Sequence, residues 1–196
     1  MSKQEVILSN GAGLSEKDSL LISENSYFSS ATIVGGGADE MNRHRERSRQ
    51  KYKEQMYEKL RNIEGLNFTA VKDSTLGKEQ LKAIIQNEIL FDFNSHNLSY
   101  TAKNMLNHLA NILVEMENPN VKIIGHTDNV GAMDYNQLLS QNRASAVGNV
   151  LRERGVDPTM ITEFGKGYSQ PIASNGSAAG RAKNRRVEIY ISIPEI

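Results

Sequence analysis

Val121-Lys-Ile-Ile-Gly125-His126-Thr127-Asp128-Asn129-Val130-Gly131 leads into a polar-apolar run that holds Asn136, Leu139-Ser140, Arg143-Ala144 and Val147 and continues to Arg154. Val121 to Gly125 is a short, apolar, β-branched run, which reads as a buried strand. His126 to Asp134 is a polar loop. From about Tyr135 to Arg154 the apolar residues return with helical spacing, and Gly155 ends the run. Leu139, Ala146, Val147, Val150 and Leu151 mark the buried face of that helix. Arg143 lies four residues after Leu139 and four before Val147, inside the same stripe. A guanidinium there needs an anion or an opening to solvent, because an unpaired buried charge is very costly. Asp128, at the carboxyl end of the preceding strand, is the nearest anion in the pattern, and the carboxyl ends of strands are where α/β folds bind ligands. Two readings follow. Asp128 and Arg143 form a structural ion pair, or they form a split pair that receives a zwitterion, with ammonium on Asp128 and carboxylate on the planar fork of Arg143. The ion pair is the simpler reading on physical grounds alone.

Upstream, Leu66 to Val71 reads as a strand. Gln80 to Phe93 contains Leu81, Ile84, Ile85, Ile89, Leu90, Phe91 and Phe93 and fits helix or strand, with a β-prone end at Ile89-Leu-Phe-Asp-Phe93. Asn94 to Asn97 is a turn. Ser99 suits the N-cap of a helix running to about Glu117, with Ala102, Met105, Leu106, Leu109, Ile112, Leu113 and Met116 on one face. Downstream, Ile161 to Gly165 is a strand, Gly167 to Asn184 a polar loop, and Val187 to Ile193 a final alternating strand. The fold class is therefore α+β, in the order β-α-β-α-β-β, with helices packed on one face of a mixed sheet.

The first part of the chain differs. Residues 1–38 are rich in Ser, Asn and Gly and have no sustained apolar period, so they read as a poorly ordered leader. Residues 39–65 read as a charged helix, an N-terminal extension whose Tyr52, Met56, Tyr57, Leu60 and Ile63 share one face and whose stop is Gly65. A face that narrow is marginal alone in water, so the helix docks on the domain, pairs with a second copy or leads toward an anchor. Its basic run, His44 to Lys53, reads as a solvated face, because acidic residues return at Glu54, Glu58 and Glu64. Residues 66–196 form the globular unit.

Composition narrows the function. Lys+Arg and Asp+Glu both total 23 in 196 residues, so the net charge is zero, which argues against a nucleic-acid partner. The absence of cysteine excludes disulfides and thiolate chemistry. No apolar run approaches the roughly 18 residues of a membrane-spanning helix. Met1-Ser-Lys-Gln-Glu5 lacks the pattern of a secretory signal, so the chain is cytosolic or has been separated from its export segment. Histidines at 44, 96, 108 and 126 form no metal-ligand spacing, and His126-x-Asp128 with Asp134 or His96 is a weak metal site. Ser140 with His126 and Asp128 lacks the Gly-x-Ser-x-Gly elbow of a hydrolase. Arg185 and Arg186 face opposite sides of a strand and cannot form one basic patch. No cofactor, metal or enzymatic activity is expected.

Thr127-Asp128-x-x-Gly131, Asn136, Leu139-Ser140, Arg143-Ala144 and Val147, followed by Gly165-Lys-Gly167, Pro171, Asn175 and Gly180-Arg-Ala-Lys-Asn-Arg-Arg-Val-Glu188, resemble the OmpA-like peptidoglycan-binding domain of porin-like outer-membrane proteins, peptidoglycan-associated lipoproteins and flagellar stator proteins. Ile89 to Ser95 is similar to that family's opening strand and turn. The resemblance covers about residues 85–193. It implies an OmpA-like β-α-β-α-β-β sandwich that binds the diaminopimelate of the peptidoglycan stem peptide, with Asp128 on the amino group and Arg143 on the carboxylate. Asn94 and Arg185 line the same pocket in relatives, and Asn136 and the backbone amide of Val130 are further candidates. Val130 stands where relatives often carry Thr or Ser, so a side-chain hydroxyl contact is lost there and a backbone contact is kept. The resemblance also implies a periplasmic, outer-membrane-associated location, a wall-tethering role, and envelope proteins as partners for residues 1–64. The alternative is an assembly module of a larger envelope complex that keeps the fold and leaves the pocket unused.

Overall fold

The last strand in the sequence occupies the centre of the sheet. The computed structural model describes residues 37–73, 77–91, 95, 97–116 and 119–192. In chain order the elements are α1 Gly37–Arg61, β1 Phe68–Lys72, β2 Glu79–Gln86, α2 Asn87–Leu90, α3 Tyr100–Glu115, β3 Asn120–His126, α4 Met133–Glu153, a 3-10 turn at Pro158–Met160, β4 Ile161–Gly165, α5 Ala178–Asn184 and β5 Arg186–Ser192. The sheet order is β1-β2-β5-β3-β4. β5 is antiparallel to both β2 and β3, and β3 and β4 are parallel across the α4 crossover. The sheet is thus mixed, as the sequence pattern predicts for an α+β fold.

The chain divides into two compact units, Met1–Arg47 and Ser48–Ile196. In the first, residues 39–47 of α1 are exposed. The leader expected over residues 1–38 lies almost wholly outside the described residues. In the second unit, one core joins alternate residues of the strands to the helices. Leu81, Ala83 and Ile85 of β2, Val187, Ile189 and Ile191 of β5, and Val121 and Ile123 of β3 pack with Leu106, Leu109 and Leu113 of α3 and Val147 and Leu151 of α4. Met56, Tyr57, Leu60 and Ile63 of α1 belong to the same core, so the second half of that helix docks on the domain. Ser99 caps α3, its Oγ accepting from the Ala102 N–H at 3.1 Å.

Two segments depart from the sequence expectation. Over its described residues, up to 91, the β-prone end of residues 80–93 does not continue as a strand. β2 stops at Gln86, and Asn87–Leu90 form a helical turn whose Asn87 N–H donates to the Arg185 carbonyl at 3.0 Å. Tertiary contacts override local propensity there. The expected polar loop 167–184 ends in a helix, α5, capped by the Ser177 hydroxyl. Buried Asn184 holds the loop before it, accepting from the Ile172 and Ala173 N–H groups and donating to the Ala173 carbonyl. With seven residues and no apolar period, α5 gives no amphipathic signal.

The opposite sheet face carries charge. Glu188 accepts from Arg186 Nε at 2.8 Å, Tyr190 Oη at 2.6 Å and Lys82 Nζ at 3.0 Å. Burial opposes ionisation of Glu188, but these hydrogen bonds outweigh it and bring its pKa down to about 2. His126 is 1% exposed, and neither ring nitrogen has a hydrogen-bond partner. Burial, helped by Arg186, lowers its pKa to about 4. Both folded-state values lie below the unfolded ones, so both contributions are complete above the unfolded pKa and are lost on acidification. Stability is expected to fall from about pH 6.5 to 4 as the unfolded state takes up a proton at His126, and further from about pH 4.5 to 2 through Glu188. Urea midpoints measured against pH check this, and His126→Gln should flatten the upper limb. A flat profile between pH 6.5 and 4 in the parent protein contradicts it.

Candidate functional site

Two close approaches set the position of α4 over the sheet. A Cβ built on Gly125 would stand 2.1 Å from the Ser140 carbonyl oxygen, and one on Gly165 would stand 2.5 Å from the Gln141 backbone nitrogen. Only glycine permits these contacts. Side chains then staple the helix down. Gln141 Oε1 accepts from the Gly165 N–H at 2.7 Å, and Gln137 Nε2 donates to the Gly165 carbonyl at 2.8 Å. The Ser140 hydroxyl is fully buried, accepts from the Gly167 N–H and donates to the Gln137 carbonyl, so it is committed to the fold. Arg143 follows on the next turn and is carried to the carboxyl ends of the strands.

The loop from β3 to α4 is equally constrained. The Thr127 N–H donates to the Gly167 carbonyl at 2.8 Å. Asp128 Oδ1 accepts from the Val130 N–H at 3.0 Å, an Asx turn, and Gly131 takes a positive φ of 95°. Asn136 Nδ2 closes the loop on the Val130 carbonyl at 2.9 Å.

These elements surround a cleft of about 690 Å³. Asp128, Arg143, Arg185, Asn136 and Val130, five of the six residues singled out from the sequence, line it. The sixth, Asn94, lies outside the described residues. Arg143 is 5% exposed. Its Nη2 donates to the Ser95 carbonyl at a long 3.5 Å, its Cζ stands 5.4 Å from the centre of the Phe91 ring, and its Nε has no hydrogen-bond partner. Burial lowers its pKa from the usual value, while the nearby Tyr135, Glu88 and Asp128 side chains oppose that shift. Among the described residues no ion pair joins Arg143 to Asp128, so the simpler of the two readings of this pair does not hold in the geometry.

Asp128 is paired with Arg185 instead, Oδ2 to Nη1 at 2.9 Å. Arg185 turns its other edge to Glu88, with Nε and Nη2 donating to Oε1 at 3.0 and 2.6 Å. Burial pulls the Arg185 pKa down, but the hydrogen bonds it donates to Glu88 and Asp128 carry it above the usual value. One edge of the cleft thus holds two carboxylates around one guanidinium, net negative, and the other edge holds Arg143, net positive. Asn87 Oδ1 and Thr127 Oγ1 line the same cleft and are buried without a hydrogen-bond partner. An opposed pair of charges flanked by unsatisfied polar atoms suits a small zwitterion.

Sequence reasoning missed Glu88, Phe91 and Tyr135 as lining residues. The available signal for Glu88 was the polar triplet Gln86-Asn87-Glu88, which interrupts the apolar run. Among the described residues no group of three His, Cys, Asp or Glu could hold a metal ion, and no helix is long and apolar enough to cross a membrane.

Residues 90–185 match the model of the OmpA family. Among curated proteins, the chain is 43% identical over 106 residues to "Probable lipoprotein YiaD" of Escherichia coli K12, a match that covers 54% of this chain and 48% of YiaD. It is 38% identical over 112 residues to the "Peptidoglycan-binding protein ArfA" of Mycobacterium bovis, covering 57% of this chain and 34% of ArfA. The chain therefore spans half or less of these two relatives. Among solved structures, the cell wall anchor of the T6SS from Pseudomonas aeruginosa superposes with a TM-score of 0.55 at 29% identity, covering 65% of this chain and 88% of that one.

Proposed function

We propose that this domain binds cell-wall peptidoglycan without catalysis, and that its cleft holds the diaminopimelate of the stem peptide. The observation that carries the reading is Arg143, a buried guanidinium that faces a cleft containing Asp128 and, among the described residues, pairs with no carboxylate. A ligand carboxylate supplies the missing anion through a charge-assisted, forked contact. The ligand ammonium goes to Asp128, whose two oxygens each accept one hydrogen bond in the free protein and retain further lone pairs. Arg185 flanks the same ligand. Asn136 and the Val130 amide act indirectly, by holding the Asp128 loop. A relative named for peptidoglycan binding and a neighbour described as a cell wall anchor support the same reading. The domain then works in the periplasm, tethering an outer-membrane-associated protein to the wall, with residues 1–64 available to envelope partners or to a second copy.

The test is selectivity. Lysine at the third stem position lacks the second carboxylate and leaves Arg143 unpaired, and a site built around a polar contact rejects a ligand that lacks it by far more than one methylene would. Diaminopimelate-type sacculi are expected to retain the protein at least about tenfold better than lysine-type walls. Co-sedimentation of both wall types at one ionic strength measures this. Equal retention overturns the proposal.

A further inference from the structure

The helical turn α2 interrupts a β-prone run, and it does so at Glu88. Departures from local preference concentrate where function needs a particular geometry. The turn is fixed to the residue directly before β5, since the Asn87 N–H donates to the Arg185 carbonyl at 3.0 Å. The Glu88 carboxylate therefore comes to the Arg185 side chain, where Oε1 alone receives both Nε and Nη2. Only Nη1 of Arg185 reaches Asp128. An arginine offered one carboxylate prefers a bidentate grip on it. Without Glu88, Arg185 would turn its fork onto Asp128 and take the carboxylate that an incoming ammonium needs.

We infer that Glu88 is a positioning residue for ligand binding: it holds Arg185 to a single contact with Asp128 and so keeps Asp128 able to accept the ligand's ammonium. The inference rests on the zwitterion reading above and extends it. It assigns the ammonium specificity of the cleft to a side chain on a different element from the two that face the ligand. The lesser exposure of Asp128, 12% against 52% for the Glu88 side chain, agrees with Glu88 as the outer holder and Asp128 as the inner acceptor.

The experiment measures affinity for a soluble diaminopimelate-containing stem peptide by calorimetry with the full chain. Glu88→Ala is expected to weaken binding about 5- to 10-fold, while Glu88→Ala placed in an Arg185→Ala background changes it less than about 2-fold, because the competing guanidinium is gone. The thermal midpoint of unliganded Glu88→Ala should stay within about 2 °C of the parent, since a half-exposed ion pair contributes little to folding. A purely structural role would lower the midpoint and would persist in the double variant. Asp128→Ala and Arg143→Ala are run alongside. If both lose binding and Glu88→Ala does not, or if Glu88→Ala costs the same with and without Arg185, the inference is overturned and the zwitterion reading stands. If neither Asp128→Ala nor Arg143→Ala changes affinity, both are overturned.

Discussion

Arg143→Ala is expected to reduce affinity for diaminopimelate-type peptidoglycan by roughly 10- to 150-fold, the equivalent of about 1.5–3 kcal/mol for one charge-assisted hydrogen-bonding group. The loss is large because the site is already desolvated. Arg143 is 5% exposed, and its internal partners are a carbonyl at 3.5 Å and an aromatic ring. Among the described residues the ligand carboxylate therefore has no second cation to turn to, since Arg185 is occupied by Glu88 and Asp128. Folding should not suffer in proportion. Among the described residues no carboxylate pairs with Arg143, so removing its charge leaves no orphan counter-ion there. Arg143→Lys separates charge from shape, because an ammonium keeps the positive charge and loses the planar fork, and it should recover only part of the affinity. Titration with a stem peptide, with urea midpoints as the folding control, gives both numbers. An Arg143→Ala protein that binds like the parent would remove Arg143 from the site.

The second large effect concerns folding. Gly125→Ala is expected to destabilise the domain by about 3 kcal/mol or more, at the upper end for overpacking. The new methyl would stand 2.1 Å from the Ser140 carbonyl oxygen, and backbone cannot step aside as a flexible side chain can. α4 would have to lift, which breaks the Gln137 and Gln141 contacts to Gly165 as well. For a unit of this size the thermal midpoint should drop by roughly 6–12 °C. Gly176→Ala is the matched control, since its nearest neighbour is the Ser174 hydroxyl at 3.3 Å, and it should stay within about 0.5 kcal/mol of the parent. Differential scanning calorimetry of the three proteins decides the point. A Gly125→Ala protein that melts with the parent would contradict the close approach of helix and strand.

Much of this was legible from residues 121–154, because a β-branched run, a polar loop and a helical stripe each have their own period. Arg143 was legible for the same reason, since a charge inside an apolar stripe needs an explanation. Which anion answers it was not. Separation in sequence gives no distance, and the partner that Asp128 takes, Arg185, arrives from the far end of the domain, directly before β5. α2 and α5 were not legible either. Four and seven residues are too few to show a helical period, and both are held by tertiary contacts, α2 through the Arg185 carbonyl and α5 through Asn184. Glu88 escaped notice together with the turn that carries it.

The place of β5 governs the timing of assembly. It is the last described strand to leave the ribosome, yet β2 and β3 meet only through it. Until residue 192 has emerged, the sheet is two separate pieces, β1-β2 and β3-β4, with unpaired edges facing each other. Pairings between residues about 100 positions apart carry a high loop-closure cost and form late. The nascent domain therefore stays open and threadable until its synthesis is nearly complete. Arg185, which directly precedes β5, completes the lining of the cleft in the same event, so the cleft and the closed sheet arrive together.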